Sequence, residues 1–264
     1  MMKRNEILEE MGLTPIWKLR RPPEKNDAGT IGDRTNDWSA VATVVVTANA
    51  QDAPRDIFAE TAPRNVLVAG DERARRIAAL AWEDFSKDVA ACRACVLCEK
   101  RNKAVPGVGD IDARWLFVGE GPGAEEDKKG EPFVGQAGRL LDQMLKALKM
   151  TRNHDVYIAN VVKCRPPGNR APTPTEAEAC RPYLERQIAL IQPEIIVALG
   201  KSAASLLLNT DASIASLRGR VHCYRDVPLI VTYHPAYLLR SLTEKAKSWE
   251  DLLFARKQLT QETE

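Results

Sequence analysis

Side chains able to do chemistry stand in this sequence where short apolar runs end. WLFVG (115–119) runs into Glu120-Gly121-Pro122-Gly123, with Glu126 close behind; VYIANVV (156–162) carries Asn160; PLIVTYH (228–234) ends on His234. A carboxylate and an imidazole can move protons or stabilise developing charge, and an amide offers a donor beside an acceptor. The turn GEGPG matches neither the dinucleotide fingerprint G-x-G-x-x-G nor a P-loop. Glu120, Glu125, Glu126 and Asp127 would repel a pyrophosphate, so the turn suits a neutral or electron-poor ligand. Phe133, just past Pro132, offers such a ligand a flat apolar face. Each feature also has a plainer reading: a strand-to-helix turn for the glycines, a solvated first helical turn for Glu125–Asp127, core packing for Phe133, and a turn residue for His234.

The cysteines form the second group. Cys92-x₂-Cys95-x₂-Cys98 begins like a ferredoxin run, but no further cysteine follows four positions on. Cys164 and Cys180 bracket CRPPGNRAPTPTEAEAC, and Cys223 stands apart. In a reducing compartment six thiols are not expected to pair as disulfides. Iron–sulfur, zinc and ordinary buried thiols all remain open on spacing alone.

These residues need elements to position them. WLFVG, VYIANVV, EIIVALG (194–200) and PLIVTYH are continuous apolar runs rich in β-formers, as strands buried on both faces are. Helical stretches at 136–149, 175–192, 201–208 and 247–261 separate or follow them, and Thr175-Glu176-Ala177-Glu178 reads as a capping box. The alternation predicts an α/β fold, a three-layer α/β/α sandwich around a central four-stranded parallel sheet. In such sheets ligands gather beyond the carboxyl ends of the strands. Glu120, Asn160 and His234 therefore converge on one rim, near Gly200-Lys201-Ser202.

With 44% apolar and 28% charged residues, the chain has ample material for a core. The net charge of +2 is uneven: basic residues exceed acidic ones between 86 and 256, which permits a nucleic-acid partner without requiring one. No transmembrane run is visible, and the opening MMKRNEILEEMGL lacks an apolar signal core, so a cytoplasmic protein is expected. Residues 1–20 read as a short N-terminal helical segment. Residues 21–80 read as a flexible linker, with WSAVATVVVTA (38–48) as a strand candidate, and 81–264 as the folded domain that carries these residues.

Taken together and in order, GEGPGAEEDKKGEPFVG, VYIANVVKCRPPGNRAP and YHPAYLLR closely resemble the type-4 uracil-DNA glycosylases, from about Cys92 to the last helix. The resemblance implies an enzyme of base excision repair that flips uracil out of DNA and hydrolyses its N-glycosidic bond. It implies a uracil pocket of Glu120, Gly121, Pro122, Phe133, Asn160 and His234. Phe133 stacks on the base, Asn160 reads uracil against cytosine, and His234 donates toward uracil O2. Glu120 and Glu126 stabilise the sugar cation or orient water, and Glu126 also crowds a 5-methyl group. An amide free to rotate would accept cytosine, so hydrogen bonds from neighbouring groups are expected to pin Asn160. Leu238 or Leu239 is expected to wedge into the vacated stack, with Arg240, Arg165 and Arg170 on phosphates. Cys92, Cys95, Cys164 and Cys180 become ligands of a [4Fe–4S] cluster, with zinc as the alternative and Cys98 and Cys223 spare.

Two other functions remain open at this stage: a non-catalytic iron–sulfur module that binds DNA or carries electrons, and a relative acting on a broader set of damaged bases. Expected partners are uracil-containing DNA, single- or double-stranded, and a protein docking on the N-terminal segment of a monomer.

Overall fold

The computed structural model describes residues 69–261. The N-terminal helical segment, most of the linker and the strand candidate at 38–48 lie outside the described residues. The described residues open with three helices: α1 (Ala69–Ala78), α2 (Trp82–Ala91) and α3 (Leu97–Lys100). Strands and helices then alternate through β1 (Val108–Gly109), β2 (Trp115–Gly119), α4 (Ala124–Lys129), α5 (Gln136–Ala147), β3 (Val156–Asn160), α6 (Pro174–Ile191), β4 (Ile195–Leu199) and α7 (Lys201–Leu208). The chain closes with α8 (Ile214–Leu217), β5 (His222–Tyr224), β6 (Val227–Thr232), α9 (Pro235–Leu238) and α10 (Lys245–Gln261).

The strands form one sheet in the order β1-β3-β2-β4-β6-β5. Its four central members pair in parallel, as the apolar runs predict. The expected four-stranded parallel sheet is thus the centre of a six-stranded mixed one, with β1 and β5 pairing antiparallel at the edges. Those edges were not legible because β1 has two residues and β5 reads HCY, neither with an apolar run.

Alternate residues of each central strand face opposite layers, as the period of two requires. Leu116, Val118, Ala159, Ile196, Ala198 and Val231 pack with Ile77, Phe85, Tyr183, Leu184 and Ala203, from α1, α2, α6 and α7. Phe117, Ile158, Val197 and Ile230 pack with Leu141, Met144, Leu145, Leu238 and Leu252, from α5, α9 and α10. The result is the three-layer sandwich.

Residues 69–80, read as linker, are part of this fold. Ile77 of α1 is fully buried, and Arg73 Nη1 donates to Ala179 O of α6 at 3.0 Å. The charged run DERARR hides a helix with only a narrow apolar side. The capping box on α6 also sits two residues earlier than read. Thr173 is the N-cap, its hydroxyl accepts from Glu176 N at 3.2 Å, and the Glu176 carboxylate accepts from Thr173 N at 2.8 Å. Pro174 at the first helical position, where no N–H is needed, selects that start.

Candidate active site and thiol cavity

A cleft of about 750 Å³ opens at the carboxyl ends of the parallel strands. Glu120, Gly121, Pro122, Glu126, Phe133, Asn160 and His234 all line it. They arrive from the turn after β2, from α4, the loop before α5, β3, and the step from β6 to α9. The backbone ties two of these arrivals together: Val161 N donates to Gly119 O at 2.9 Å, and Val162 N to Glu120 O at 3.2 Å.

Asn160 is 2% exposed, and its side-chain Oδ1 has no hydrogen-bond partner. The expected pinning hydrogen bonds are absent among the described residues. Close packing holds the amide instead: at Gly119 even a methyl group would overlap Asn160 Oδ1 and the Phe133 ring. A buried carbonyl left without a donor costs about 1–3 kcal/mol.

His234 is the N-cap of α9, and its Nδ1 accepts from Ala236 N at 3.1 Å. With Nδ1 acting as acceptor, the neutral ring carries its proton on Nε2. Burial pushes the imidazole down to about 4, against the pull of the Glu126 carboxylate and with Arg240 adding to the drop. The ring is therefore neutral at physiological pH and a donor through Nε2. It stacks on Phe133 with centroids 5.5 Å apart and planes at 29°.

Phe133 holds a left-handed backbone, φ 53°, a conformation that costs a non-glycine residue about 1 kcal/mol. Strain of this kind persists where the surroundings impose it. Here its carbonyl fills the space over Gly138, where any side chain would collide with it.

The carboxylates divide. Glu126 Oε1 accepts from Val134 N at 2.9 Å and Gly135 N at 3.1 Å, so it braces the turn that leads into α5. The Glu120 side chain makes no hydrogen bond among the described residues and faces the cleft. Asp127, read as part of a solvated turn, is 1% exposed and accepts from Asn102 N at 2.9 Å.

Around the cleft, Arg240 and Lys201 stand exposed at its lining. Arg170 also lines it but is forked onto Glu176 at 2.8 and 2.6 Å; that guanidinium holds Glu176 down to about 2, against burial. Arg165 Nε donates to Asn169 Oδ1 at 2.7 Å. Leu238 is 1% exposed and belongs to the core, whereas Leu239 is 40% exposed. Of the two wedge candidates, Leu238 or Leu239, Leu239 is the one that projects. Tyr233, stacked on Tyr237 at 5.2 Å, completes an aromatic flank that sequence reasoning missed.

Behind β3 lies a second, small cavity lined by Cys92, Cys95, Cys98, Cys164 and Cys180 together. Cys98, set aside as spare, is among them; Cys223 is exposed on β5. The sulfurs receive N–H donors: Arg101 Nη1 to Cys164 Sγ at 2.8 Å, Lys163 N to Cys180 Sγ at 3.3 Å, and Arg73 Nη2 to Cys92 Sγ at 3.5 Å. Burial pushes the Cys180 thiol up to about 12, with Lys163 opposing. No group of three or more His, Cys, Asp or Glu side chains among the described residues is arranged to hold a single metal ion.

Known proteins match this chain in the same region. The family model of the Uracil DNA glycosylase superfamily matches residues 106–253. The type-4 uracil-DNA glycosylase of Thermotoga maritima is 47% identical over 167 residues, covering 62% of this chain and 86% of the relative. That of Archaeoglobus fulgidus is 46% identical, covering 60% and 82%, and that of Sulfurisphaera tokodaii is 42% identical, covering 67% and 87%. With a cleft of this make-up at the strand ends and relatives at this identity over most of their length, the chain belongs to the uracil DNA glycosylase superfamily, among its type-4 members.

Proposed function

We propose that this protein is a uracil-DNA glycosylase that takes deoxyuridine out of the DNA stack and hydrolyses its C1′–N1 bond. Extrusion costs a few kcal/mol, and stacking on Phe133 returns roughly 1–3 kcal/mol. The observation that carries the reading is the Asn160 amide in the lining of the cleft, beside Phe133 and His234. Uracil offers the amide Oδ1 its N3–H while its O4 accepts from the amide NH₂. Cytosine presents the inverse pattern and would leave two buried mismatches, which discriminates by about 10⁴-fold or more.

As the C1′–N1 bond breaks, its electron pair leaves with the uracil ring and charge gathers on O2. The neutral His234 donates there through Nε2, a contribution worth about 10²–10³ in rate. The sugar cation takes its oxygen from water, whose released proton neutralises the departing uracil anion, and the free carboxylate of Glu120 stands to stabilise that cation. Glu126 acts mainly through the turn it braces. The products are free uracil and an abasic site. Arg240, Lys201 and Arg165 supply charge to the phosphates, and Leu239 fills the vacated stack.

The thiol cavity fits a [4Fe–4S] cluster held by Cys92, Cys95, Cys164 and Cys180. The thiols surround a space, and N–H donors point at their sulfurs as they do around cluster ligands. A single zinc ion would need the sulfurs converged on one point. When bound, the cluster cross-links α2, the end of β3 and α6; the hydrolysis itself is redox-neutral.

The test is incubation with oligonucleotides bearing U, C or T, followed by alkaline cleavage of abasic sites. Cleavage at U alone is expected. Asn160→Asp should cut the uracil rate and relax selectivity toward cytosine, and Glu120→Gln should slow uracil release. Intact deoxyuridine strands would remove the reading, and an unchanged U-to-C ratio in Asn160→Asp would remove Asn160 from base recognition.

A further inference from the structure

The left-handed turn at Phe133 is gripped from both sides. Glu126 takes the amide N–H groups of Val134 and Gly135, the two residues that follow. The preceding carbonyls point the other way, and one guanidinium collects them. Arg152 Nη1 donates to Pro132 O at 2.8 Å, and Nη2 donates to Phe133 O. Arg152 Nε is anchored in turn on Asp142 Oδ1 of α5. Arg152 lies beyond α5 and outside the cleft lining, so it does not meet the bound base. The planar fork spans two carbonyls of one turn, which an ammonium cannot do with the same geometry.

We infer that Arg152 is a positioning residue for base recognition: by holding the carbonyls of Pro132 and Phe133, it keeps the Phe133 ring in the plane where an extruded uracil stacks. The inference rests on the glycosylase reading. An anionic brace on the amides and a cationic brace on the carbonyls fix both peptide planes that flank the ring. Without the cation, the strained φ of Phe133 relaxes and the ring leaves its stack on His234.

A double-mutant cycle tests it, using Arg152→Met, Phe133→Ala and the pair in the full-length protein. The readouts are single-turnover uracil release and inhibition by free uracil. Arg152→Met is expected to lower kcat/KM for uracil DNA by about 5- to 150-fold, the range of base–aromatic stacking. Its inhibition constant for free uracil should rise in parallel. The pair should be no worse than Phe133→Ala alone. Additive losses, or unchanged inhibition by free uracil, would overturn the inference.

Should Arg152→Met fail to fold, Arg152→Lys decides. Weakened inhibition by free uracil at wild-type melting temperature supports the fork, and wild-type inhibition overturns it. The wild-type control separates the two levels: if it releases no uracil, the glycosylase reading falls, whereas an active wild type with an additive cycle sinks only the role of Arg152.

Discussion

His234 enters the cleft with one nitrogen already committed. Because Nδ1 accepts the Ala236 N–H, protonating the ring would break the N-cap of α9 as well as charge a packed imidazole. Burial holds its pKa near 4, below the ordinary histidine value. In the unfolded chain the ring takes a proton near the usual value of about 6.5. Between that pH and about 4 the unfolded state binds the extra proton, so this residue's contribution to stability is full above about 6.5 and declines as pH falls. The rate should follow the folded value: kcat/KM for uracil DNA stays free of a histidine inflection from pH 8 to about 5.5. A pH–rate profile with a step near 6.5 that vanishes in His234→Gln would contradict the neutral-donor assignment. Asn160 and Phe133 show the same economy: packing replaces hydrogen bonds at the amide, and two charged braces hold the ring in a conformation it would not choose.

Short elements carry these residues, and α9 shows how one helical turn divides its labour. Leu238 points into the layer formed with α5 and α10, while Leu239 and Tyr237 face out beside the cleft. Leu238→Ala should therefore cost about 2–5 kcal/mol of stability and act on catalysis only through folding. Leu239→Ala should leave the melting temperature in place and slow uracil release from duplex more than from single strands, since only a duplex has a stack to refill. Thermal denaturation and paired assays on the two substrates check both, and a large melting shift in Leu239→Ala would cancel its wedge role. At the end of β3 the buried Lys163 ties the strand to α6: its Nζ donates to Asn160 O at 2.8 Å and also to Gln187 Oε1. The strand that carries Asn160 is thus anchored beside the thiol cavity.

Across the whole molecule, the cleft takes Asn160 from the end of β3, and the thiol cavity takes Lys163 and Cys164 from the residues that follow it. The thiols gather from the segment after α2, from the residues after β3 and from α6, three stretches that no short-range signal holds together. A bound cluster would cross-link them, and metal sites of this kind contribute folding free energy directly. Removing iron with a chelator after oxidation should abolish the visible charge-transfer absorbance. It should also lower the melting temperature by about 10 °C or more, as a loss of several kcal/mol at about 2–4 °C per kcal/mol requires. Binding of uracil DNA should fall with it. A bleached, iron-free protein that melts and binds as before would show that the cavity holds no structural cluster. Among the described residues no helix is long and apolar enough to cross a membrane.

The four parallel strands and the rim where Glu120, Asn160 and His234 meet were legible in the sequence. Continuous apolar runs can be satisfied only by burial on both faces, and parallel strands place their carboxyl ends along one edge. The three motifs in order were specific enough to indicate the family. The antiparallel edges, the helix of residues 69–78, the bare Oδ1 of Asn160, the left-handed Phe133 and the grip of Arg152 came only with the tertiary structure. Each depends on which distant groups meet: an edge strand exists by virtue of its neighbour, and a strained turn by virtue of its braces. Local sequence encodes periodicity and turn chemistry, but the partners that leave one carbonyl empty and fix one ring are chosen by packing.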